Sequence, residues 1–322
     1  MITSFFRPEQ VPGAVGVAGD TLLLGYLPTY LPSSLAIPTC GGIHRPGRTV
    51  QFRFPIPPPP HPPQGQRNSM LRVSAPPLVI AHRGASAYLP ENTLPAYALA
   101  VEQRADMIEI DLHRSRDGAI VIAHDADLTA LGGEGAIGER TLAELRALSV
   151  GGDEASMIPT LEEVLDQFGH VLPFNLELKR GRGGPYPGLE AQALEAVENR
   201  GLLEQTLFSS FEDSILAEIR RISPAARLAA LVDPRQPQLD TLLDRAGGLG
   251  AEAVNPHFLL ASADLIRAAH SADLAVYAYT VDDPARMHDL INAGIDGLFT
   301  NRPDRMRAVV DQSEGGRDRD PR

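Results

Sequence analysis

From Leu78 onward the sequence alternates short β-rich runs with longer amphipathic stretches, and this alternation restricts the fold more than any other feature. Apolar runs without a polar face are typical of parallel strands that are covered by helices on both sides. A parallel pair needs a crossover connection, so the amphipathic stretches predict helices. The candidate strands are Leu78–His82, Met107–His113, Ile120–His124, Phe174–Lys179, Thr206–Ser210, Leu228–Val232, Ala253–Pro256, Val276–Thr280 and Gly297–Thr300, and the candidate helices include Gly188–Asn199, Ser214–Ile222 and Pro284–Ala293.

One connection is too short for a helix. Only residues 114–119 separate the second run from the third. Their central residues, Ser115-Arg116-Asp117-Gly118, predict a β-hairpin turn. If the return arm of this hairpin is an extra antiparallel strand, eight parallel strands remain. The sequence therefore predicts an α/β fold, a (β/α)8 TIM barrel with a β-hairpin after strand 2. An open doubly wound sheet is the alternative, but Gly84 stands alone after the first strand, without a dinucleotide-binding fingerprint.

The beginning of the chain has a different composition. More than half of the 28 prolines precede residue 78, and the stretch from Phe54 to Pro63 is especially rich in them. We expect residues 1–69 to be a disordered Pro-rich head, residues 70–310 to form the barrel domain, and residues 311–322 to be a disordered tail. Two explanations of the head stay open: a genuine disordered extension, or untranslated sequence before a true start at Met70.

Charge and cysteine content exclude several classes of protein. The formal net charge of −12 argues against a general nucleic-acid binder, which needs a basic face. Cys40 is the single cysteine, so neither an intramolecular disulfide nor a zinc site of paired cysteines can form. No apolar run is long enough for a transmembrane helix, and Pro28 interrupts a short apolar stretch that would make a poor secretory signal. We expect a cytoplasmic protein.

Polar side chains stand where the predicted strands end. In a barrel these carboxyl ends share one mouth, which is where active sites lie. The first strand ends in His82 and Arg83, and the second carries Glu109 and Asp111, which face the same side because they are two residues apart. The hairpin return ends in His124, which antiparallel pairing would place roughly opposite Asp111.

The next strand adds a second group on one face: Asn175, Glu177 and Lys179. Lys179 is the only lysine in the sequence, beside 28 arginines among the 29 basic residues. In a sequence that uses arginine almost everywhere in place of lysine, a single retained lysine suggests a role that needs the compact charge of an ammonium. A guanidinium cannot fill that role. Arg83 and Lys179 together would bind an anion.

The carboxylates of Glu109, Asp111 and Glu177 cannot all stay ionised close together without a cation. Oxygen ligands of this kind favour a hard divalent ion, Mg²⁺ or Ca²⁺. His82 and His124 would supply a proton acceptor and a proton donor near neutral pH. This combination suits metal-dependent hydrolysis of a phosphodiester, and the sequence does not decide which histidine is acid and which is base.

Two further segments can be interpreted in more than one way. Glu91 and Asn92 could cap a helix that begins near Leu94, or they could support the predicted site from behind. The glycine-rich segment at 181–184 follows a strand but lacks the Lys-Ser/Thr ending of a phosphate-binding loop, so we interpret it as a mobile loop at the barrel mouth.

The ordered set of motifs resembles the glycerophosphodiester phosphodiesterases from about Leu78 to Asp304. The motifs are Ile80-Ala81-His82-Arg83-Gly84, Pro90-Glu91-Asn92-Thr93, Glu109-Ile110-Asp111, Asp117-Gly118, His124-Asp125, Ile158-Pro159-Thr160-Leu161, Asn175-Leu176-Glu177-Leu178-Lys179, Tyr279-Thr280-Val281 and Gly294-Ile295-Asp296-Gly297. Each is weak alone, and their order is specific.

The resemblance implies a barrel with a small insertion at about 126–157, and a small glycerophosphodiester as substrate. It also implies the site residues: Glu109, Asp111 and Glu177 as ligands of a divalent metal ion, His82 and His124 as the acid–base pair, and Arg83, Lys179 and Tyr279 as phosphate or substrate contacts.

Three departures from the family pattern affect substrate fit more than catalysis. Tyr279 stands where the family usually has Trp, Asn301 follows Thr300 where it usually has Asp, and Leu128-Thr129-Ala130 replaces the usual Arg-Thr-Thr. Two alternatives to a glycerophosphodiester hydrolase remain: a related lipid-directed phosphodiesterase that forms a cyclic phosphate, and a non-catalytic phosphate-binding barrel.

Overall fold

The computed structural model describes residues 75–148, 157–235 and 239–317. The predicted head at 1–69 lies outside the described residues, as does the segment 149–156 of the predicted insertion. Within the described ranges, no helix combines the length and the apolar character needed to span a membrane.

Eight parallel strands close into a barrel, as the alternation of runs predicts. The strands of the described residues are β1 (Leu78–His82), β2 (Met107–Arg114), β3 (Ile120–Ile122), β4 (Phe174–Leu178), β5 (Arg180–Gly181), β6 (Gly184–Pro185), β7 (Thr206–Ser210), β8 (Arg227–Val232), β9 (Ala253–Pro256), β10 (Ala275–Ala278) and β11 (Gly297–Thr300). The barrel order is β1-β11-β10-β9-β8-β7-β4-β2, and pairing of β1 with β2 closes it. Antiparallel β3 lies beside β2, outside the closed ring.

Helices follow most of the barrel strands. They are α1 (Leu94–Glu102), α2 (Leu142–Arg146), α3 (Leu161–Phe168), α4 (Leu189–Glu198), α5 (Asp213–Ile222), α6 (Leu239–Gly248), α7 (Ala263–Ser271), α8 (Pro284–Asn292) and α9 (Pro303–Arg317), with short 3₁₀ turns at Thr129–Leu131, Ile137–Glu139 and Leu203–Gln205. Local sequence sets several of their starts. Thr160 and Glu163 form a reciprocal capping box at α3, and Asp283 caps α8 just before Pro284.

Side-chain alternation along the strands separates two cores. One set of alternate residues forms a small apolar cluster inside the barrel, with members from seven of the eight strands: Ile80, Met107, Leu207, Ala229, Ala253, Tyr277 and Phe299. The other set, which includes Ile108, Ile110 and Leu176, packs outward against the helices in the main core. The inward set continues toward the carboxyl ends of the strands as polar residues, so the alternation itself places the site above the apolar plug.

The hairpin forms as predicted, but its register differs by one residue. Ser115 N–H donates to Ala119 O, which leaves a three-residue loop with Gly118 at φ +94°. Leu112 therefore pairs with Ile122, and Ala123 N–H donates to Asp111 O, so Ala123 rather than His124 lies opposite Asp111. Strand β3 also ends at Ile122, which leaves His124 in the connection that follows.

Two further segments differ from the expectation, and the insertion has a core of its own. The glycine-rich segment at 181–184 forms a tight ribbon in which β5 pairs with β6. Helix α9 extends to Arg317, past residue 310, where the end of the domain was expected. The described part of the insertion has its own small core, in which Leu128, Ile137 and Leu145 pack against Val121 of the hairpin.

Candidate active site

Three buried carboxylates converge where β2 and β4 lie side by side. Glu109, Asp111 and Glu177 each place one carboxylate oxygen within 4.8 Å of the others. The parallel register explains this, because Asp111 is paired with Glu177 in the sheet and Glu109 lies two residues earlier on the same face. The three side chains are almost fully buried, so their charges are poorly screened by water.

Two cations lie against this cluster. Lys179 Nζ lies 2.8 Å from Asp111 Oδ1 and 2.5 Å from Glu177 Oε1. Arg83 Nε lies 3.2 Å from Asp111 Oδ2, and the Arg83 backbone N–H donates to Glu109 Oε2 at 2.9 Å. Both predicted anion-binding side chains therefore reach the carboxylates, and both are mostly buried.

A left-handed turn aims Arg83 into the site. Arg83 has φ +57° and Gly84 has φ +84°. A Cβ on Gly84 would come within 2.7 Å of the Ala96 backbone, so helix α1 packs where only glycine fits. The close approach of α1 then brings the segment before that helix over the end of β2.

This segment resolves the two interpretations of Glu91 and Asn92. Thr93, not either of them, caps α1, with its hydroxyl oxygen accepting from Ala96 N–H. Asn92 instead donates from Nδ2 to Asp111 Oδ2 at 2.8 Å, and its Oδ1 accepts from the Tyr97 hydroxyl at 3.0 Å. Glu91 pairs with Arg83. Both residues thus contact charged side chains of the site, Asn92 at Asp111 and Glu91 at Arg83.

The pKa values of the carboxylates diverge. Burial, with the charges of Asp111 and Glu177, raises the pKa of Glu109 well above its usual range. Burial also raises the pKa of Glu177, although Lys179 opposes this. At Asp111 burial is outweighed by Lys179 and Arg83, so its pKa lies below the usual value. The cluster therefore holds its negative charge chiefly on Asp111.

The donor set fits a divalent cation. Glu109 Oε1 is buried and has no hydrogen-bond partner among the described residues, an arrangement that is costly unless another group binds it. With all three carboxyls ionised, the cluster carries more negative charge than Arg83 and Lys179 compensate, and Glu91 beside Arg83 adds to this excess. A divalent ion would offset this excess negative charge. Carboxylate oxygens are also the ligands that Mg²⁺ and Ca²⁺ prefer.

His82 stands at the end of β1, with Glu109 as its neighbour in the β1–β2 register. Its Nδ1 lies 2.7 Å from Asn301 Oδ1, which can only accept a hydrogen bond, so Nδ1 carries the proton and Nε2 remains a bare acceptor. Burial and the charge of Arg83 lower the pKa of His82 to about 4. At neutral pH this imidazole is therefore uncharged and able to take up a proton.

His124 is more exposed to solvent than His82. It lines the same cleft as Glu177 and Lys179, and its side chain is 37% exposed. Its Nδ1 lies at ion-pair distance, 2.8 Å, from Asp125 Oδ1, which leaves Nε2 as the nitrogen that can face a substrate. Burial and Lys179 lower the pKa of His124, while Asp111 and Asp125 oppose this shift.

The backbone of His124 is held by a hydrogen-bonded pair, His113 and Tyr186, that the sequence does not reveal. His113 Nε2 lies 3.2 Å from the His124 carbonyl oxygen, and His113 Nδ1 lies 2.9 Å from the Tyr186 hydroxyl. His113 therefore donates from Nε2 and accepts the tyrosine proton at Nδ1. His113 lies two residues after Asp111 on β2, so the alternation of side chains places both on the same face of the strand. This alternation was the one sequence signal that pointed to His113 as part of the site.

A cleft of about 1050 Å³ opens beside Lys179 and Glu177. Tyr279 forms part of its wall, in edge-to-face contact with Phe211. The Tyr279 hydroxyl donates to Val232 O at 2.6 Å, so the ring rather than the hydroxyl is available to a ligand. Tyr279, the expected substrate contact, thus lines the cleft, and its hydroxyl is already hydrogen-bonded within the protein.

The sequence matches the model of one protein family. The model of the glycerophosphoryl diester phosphodiesterase family matches residues 82–305. A glycerophosphodiester phosphodiesterase of Bacillus subtilis is 31% identical over 261 residues, which cover 72% of this chain and 86% of that protein.

Solved structures agree with the sequence relatives. A crystal structure named as a putative glycerophosphoryl diester phosphodiesterase from Agrobacterium tumefaciens superposes with a TM-score of 0.70 at 26% identity, covering 75% of this chain and all of that one. An Oleispira antarctica phosphodiesterase, solved in complex with the product sn-glycerol-3-phosphate, gives a TM-score of 0.65 at 32% identity and covers 73% of this chain and 97% of its own. A closed barrel with this ordered set of mouth residues, matched over most of its length by sequence and by structure, makes the chain a member of the glycerophosphoryl diester phosphodiesterase family.

Proposed function

We propose that this protein hydrolyses glycerophosphodiesters to sn-glycerol 3-phosphate and an alcohol, with a divalent metal ion and with His82 and His124 as the acid–base pair. The observation that carries the proposal is the convergence of two imidazoles, three carboxylates and two cations at one barrel mouth. The relatives named above support the substrate class.

Glu109, Asp111 and Glu177 would hold the ion. Bound there, a divalent cation supplies charge withdrawal from the phosphoryl oxygens and neutralises the buried carboxylates. Arg83 and Lys179 would contact the phosphate, since both reach the carboxylate cluster and both keep a small exposed surface. Their fixed positive charges stabilise the negative charge that develops on the phosphoryl group.

His82 is assigned as the first general base. Its Nε2 is unprotonated, and its lowered pKa, about 4, keeps it so at neutral pH. In the first step His82 takes the proton from the glycerol hydroxyl next to the ester, and that oxygen attacks phosphorus. His124, with both ring nitrogens protonated, gives its Nε2 proton to the departing alcohol oxygen as the phosphorus–oxygen bond breaks. Water then opens the resulting cyclic ester, with the two histidines in exchanged roles.

Tyr279 and Phe211 would contact the alcohol part of the substrate. Their rings meet edge to face, and both residues line the cleft that Lys179 and Glu177 also line. Because the Tyr279 hydroxyl is bound to Val232 O, we assign to this residue an apolar contact rather than a phosphate contact.

The test is product analysis with glycerophosphocholine as substrate. Release of sn-glycerol 3-phosphate that stops on addition of a chelator and returns with Mg²⁺ or Ca²⁺ is the expected result. A cyclic phosphate as the final product would favour the lipid-directed alternative. Binding without any turnover would favour the non-catalytic barrel.

A further inference from the structure

We propose that Asp282 is a positioning residue that orients the Asn301 amide and thereby keeps His82 in the tautomer with Nε2 unprotonated. Three groups form a continuous chain: His82 Nδ1 lies 2.7 Å from Asn301 Oδ1, and Asn301 Nδ2 lies 2.7 Å from Asp282 Oδ2. The catalytic consequence of this chain rests on the function proposed for His82, whereas the chain itself can be tested without any substrate.

The direction of each hydrogen bond follows from chemistry. An ionised carboxylate only accepts, so the atom of Asn301 that faces Asp282 must be the NH₂ group. The amide oxygen then faces His82, whose Nδ1 must be the donor. Ser86 Oγ lies 2.9 Å from the same amide oxygen and 2.8 Å from the His82 carbonyl oxygen, and it shares its single proton between them. The carboxylate of Asp282 thus determines which ring nitrogen of a residue two hydrogen bonds away carries the proton.

Asp282 is itself held by two donors, of which the backbone N–H cannot change direction. Its Oδ1 accepts from the Asn301 backbone N–H at 2.8 Å and from Thr300 Oγ1 at 2.9 Å. The backbone next to Asp282 is held by Val281 N–H, which donates to Phe299 O at 2.8 Å. A backbone N–H has no acceptor alternative, so an oxygen must face it from position 282.

An amide at position 301 makes this support necessary. A carboxylate there would accept from His82 in either orientation, but an amide has one donor end and one acceptor end. Without Asp282, Asn301 could turn its NH₂ group toward His82. Nδ1 would then become an acceptor, the proton would move to Nε2, and the nitrogen assigned as base would be blocked.

This argument predicts the effect of Asp282→Asn. The new amide must keep its oxygen toward the Asn301 backbone N–H, so its NH₂ group faces the Asn301 side chain. Asn301 then turns its oxygen to meet that group and presents its own NH₂ to His82. The isosteric change should therefore move the His82 proton from Nδ1 to Nε2.

The exchange variant Asp282→Asn/Asn301→Asp predicts a rescue. The amide at 282 again keeps its oxygen toward the backbone N–H and offers NH₂ to position 301. A carboxylate at 301 accepts from that NH₂ with one oxygen and from His82 Nδ1 with the other. The native tautomer should return, although both residues differ from the native ones.

The experiment measures both the tautomer and the activity of the full chain. Imidazole ¹⁵N chemical shifts assign the His82 proton, with His82→Gln to identify the signal, and turnover of glycerophosphocholine gives kcat and KM. Asp283→Asn is the matched control: it removes a neighbouring charge at a helix N-cap, where Asn caps equally well, and it lies outside the chain of hydrogen bonds.

We expect Asp282→Asn to carry the proton on Nε2 and to lower kcat by about 10²–10⁴-fold with little change in KM, since a catalytic imidazole in the wrong tautomer loses its role. The exchange variant should regain Nδ1–H and most of kcat, and Asp283→Asn should match the wild type. Retention of Nδ1–H in Asp282→Asn would overturn the proposal, as would a folded exchange variant with Nε2–H. If the wild type has no turnover, the proposed function fails, and the shifts alone still decide the role of Asp282.

Discussion

Lys179→Met tests the electrostatic account of the carboxylate cluster through stability, independently of turnover. Methionine is an unbranched side chain one atom shorter than lysine, and it removes the charge. In the native protein the ammonium lies 2.8 Å from Asp111 Oδ1 and 2.5 Å from Glu177 Oε1, and it is 13% exposed. Breaking a buried ion pair by removal of one partner costs about 3–5 kcal/mol, because the other charge stays buried without compensation. We expect a loss of this size in the free energy of unfolding, measured by urea denaturation in the presence of a chelator.

The pH dependence of this loss gives the sharper check. Without Lys179, the folded-state pKa of Asp111 rises from its lowered value and that of Glu177, already raised by burial, rises further, so the folded state binds more protons in the variant. A group with a raised folded pKa favours the folded state below its unfolded pKa, and that contribution disappears as the pH rises. The destabilisation should therefore be full at about pH 8 and should shrink toward about pH 4, where both carboxyls can bind a proton.

A divalent ion should also shrink the destabilisation, since it replaces the lost positive charge. Lys179→Arg is the matched variant that keeps the charge on a longer, planar group, and we expect it to lose less stability than Lys179→Met. Equal stability of Lys179→Met and the wild type in chelator at high pH would refute the reasoning. A loss of stability that does not change with pH would refute it too, because a packing defect alone has no such dependence.

Four further predictions concern the site and the domain. Glu177→Gln should lose most of the affinity for Mg²⁺ or Ca²⁺ while the protein stays folded, as measured by calorimetric titration; unchanged affinity would contradict the ligand assignment. His82→Ala or His124→Ala should lower kcat by about 10²–10⁴-fold and keep metal binding; near-normal kcat would remove that histidine from the acid–base pair. The pKa of buried His113 is lowered from 6.5 to about 4 by burial, so the unfolded state binds more protons in this window and stability falls as the pH drops through it. Thermal melts in chelator should show His113→Gln losing less stability than the wild type over that window, by up to about 3 kcal/mol; parallel curves would contradict this. The fragment Met70–Arg322 should fold and turn over substrate without the head; an unfolded or inactive fragment would show that residues 1–69 belong to the domain.

The barrel could be predicted because its determinants are local. Continuous apolar runs, each followed by an amphipathic stretch, specify parallel strands and crossover helices with little reference to the rest of the chain. Period-two alternation was enough to place Glu109 with Asp111, and Glu177 with Lys179, on the inward face. The register of β2 with β4 then brings these two pairs together.

Other parts of the site depend on contacts between distant segments. Asn92 reaches Asp111 only because α1 packs closely on Gly84, and no spacing in the sequence reports this packing. Asn301 meets His82 because β11 is the neighbour of β1 in the closed barrel, across most of the length of the chain. The departure from the family pattern at Asn301 was visible in the sequence, but its partner Asp282 was not.

The error at His124 has a local cause. Whether His124 or Ala123 lies opposite Asp111 depends on the number of residues in the turn, and the sequence allows more than one turn length around Gly118. A one-residue change of register moves a side chain to the other face of a strand. His124 still lines the cleft because it follows β3 in an irregular connection, where the strict alternation no longer applies.

The most direct test of the account is the metal dependence of sn-glycerol 3-phosphate release from glycerophosphocholine by the full chain. The protein is first freed of metal with a chelator, and turnover is then measured with no ion, with Mg²⁺ and with Ca²⁺, for the wild type and for Glu177→Gln. The account predicts no turnover without an ion, recovery in the wild type with at least one of the two ions, and little recovery in Glu177→Gln. Full turnover in excess chelator would contradict the central claim that the three carboxylates act by holding a divalent cation.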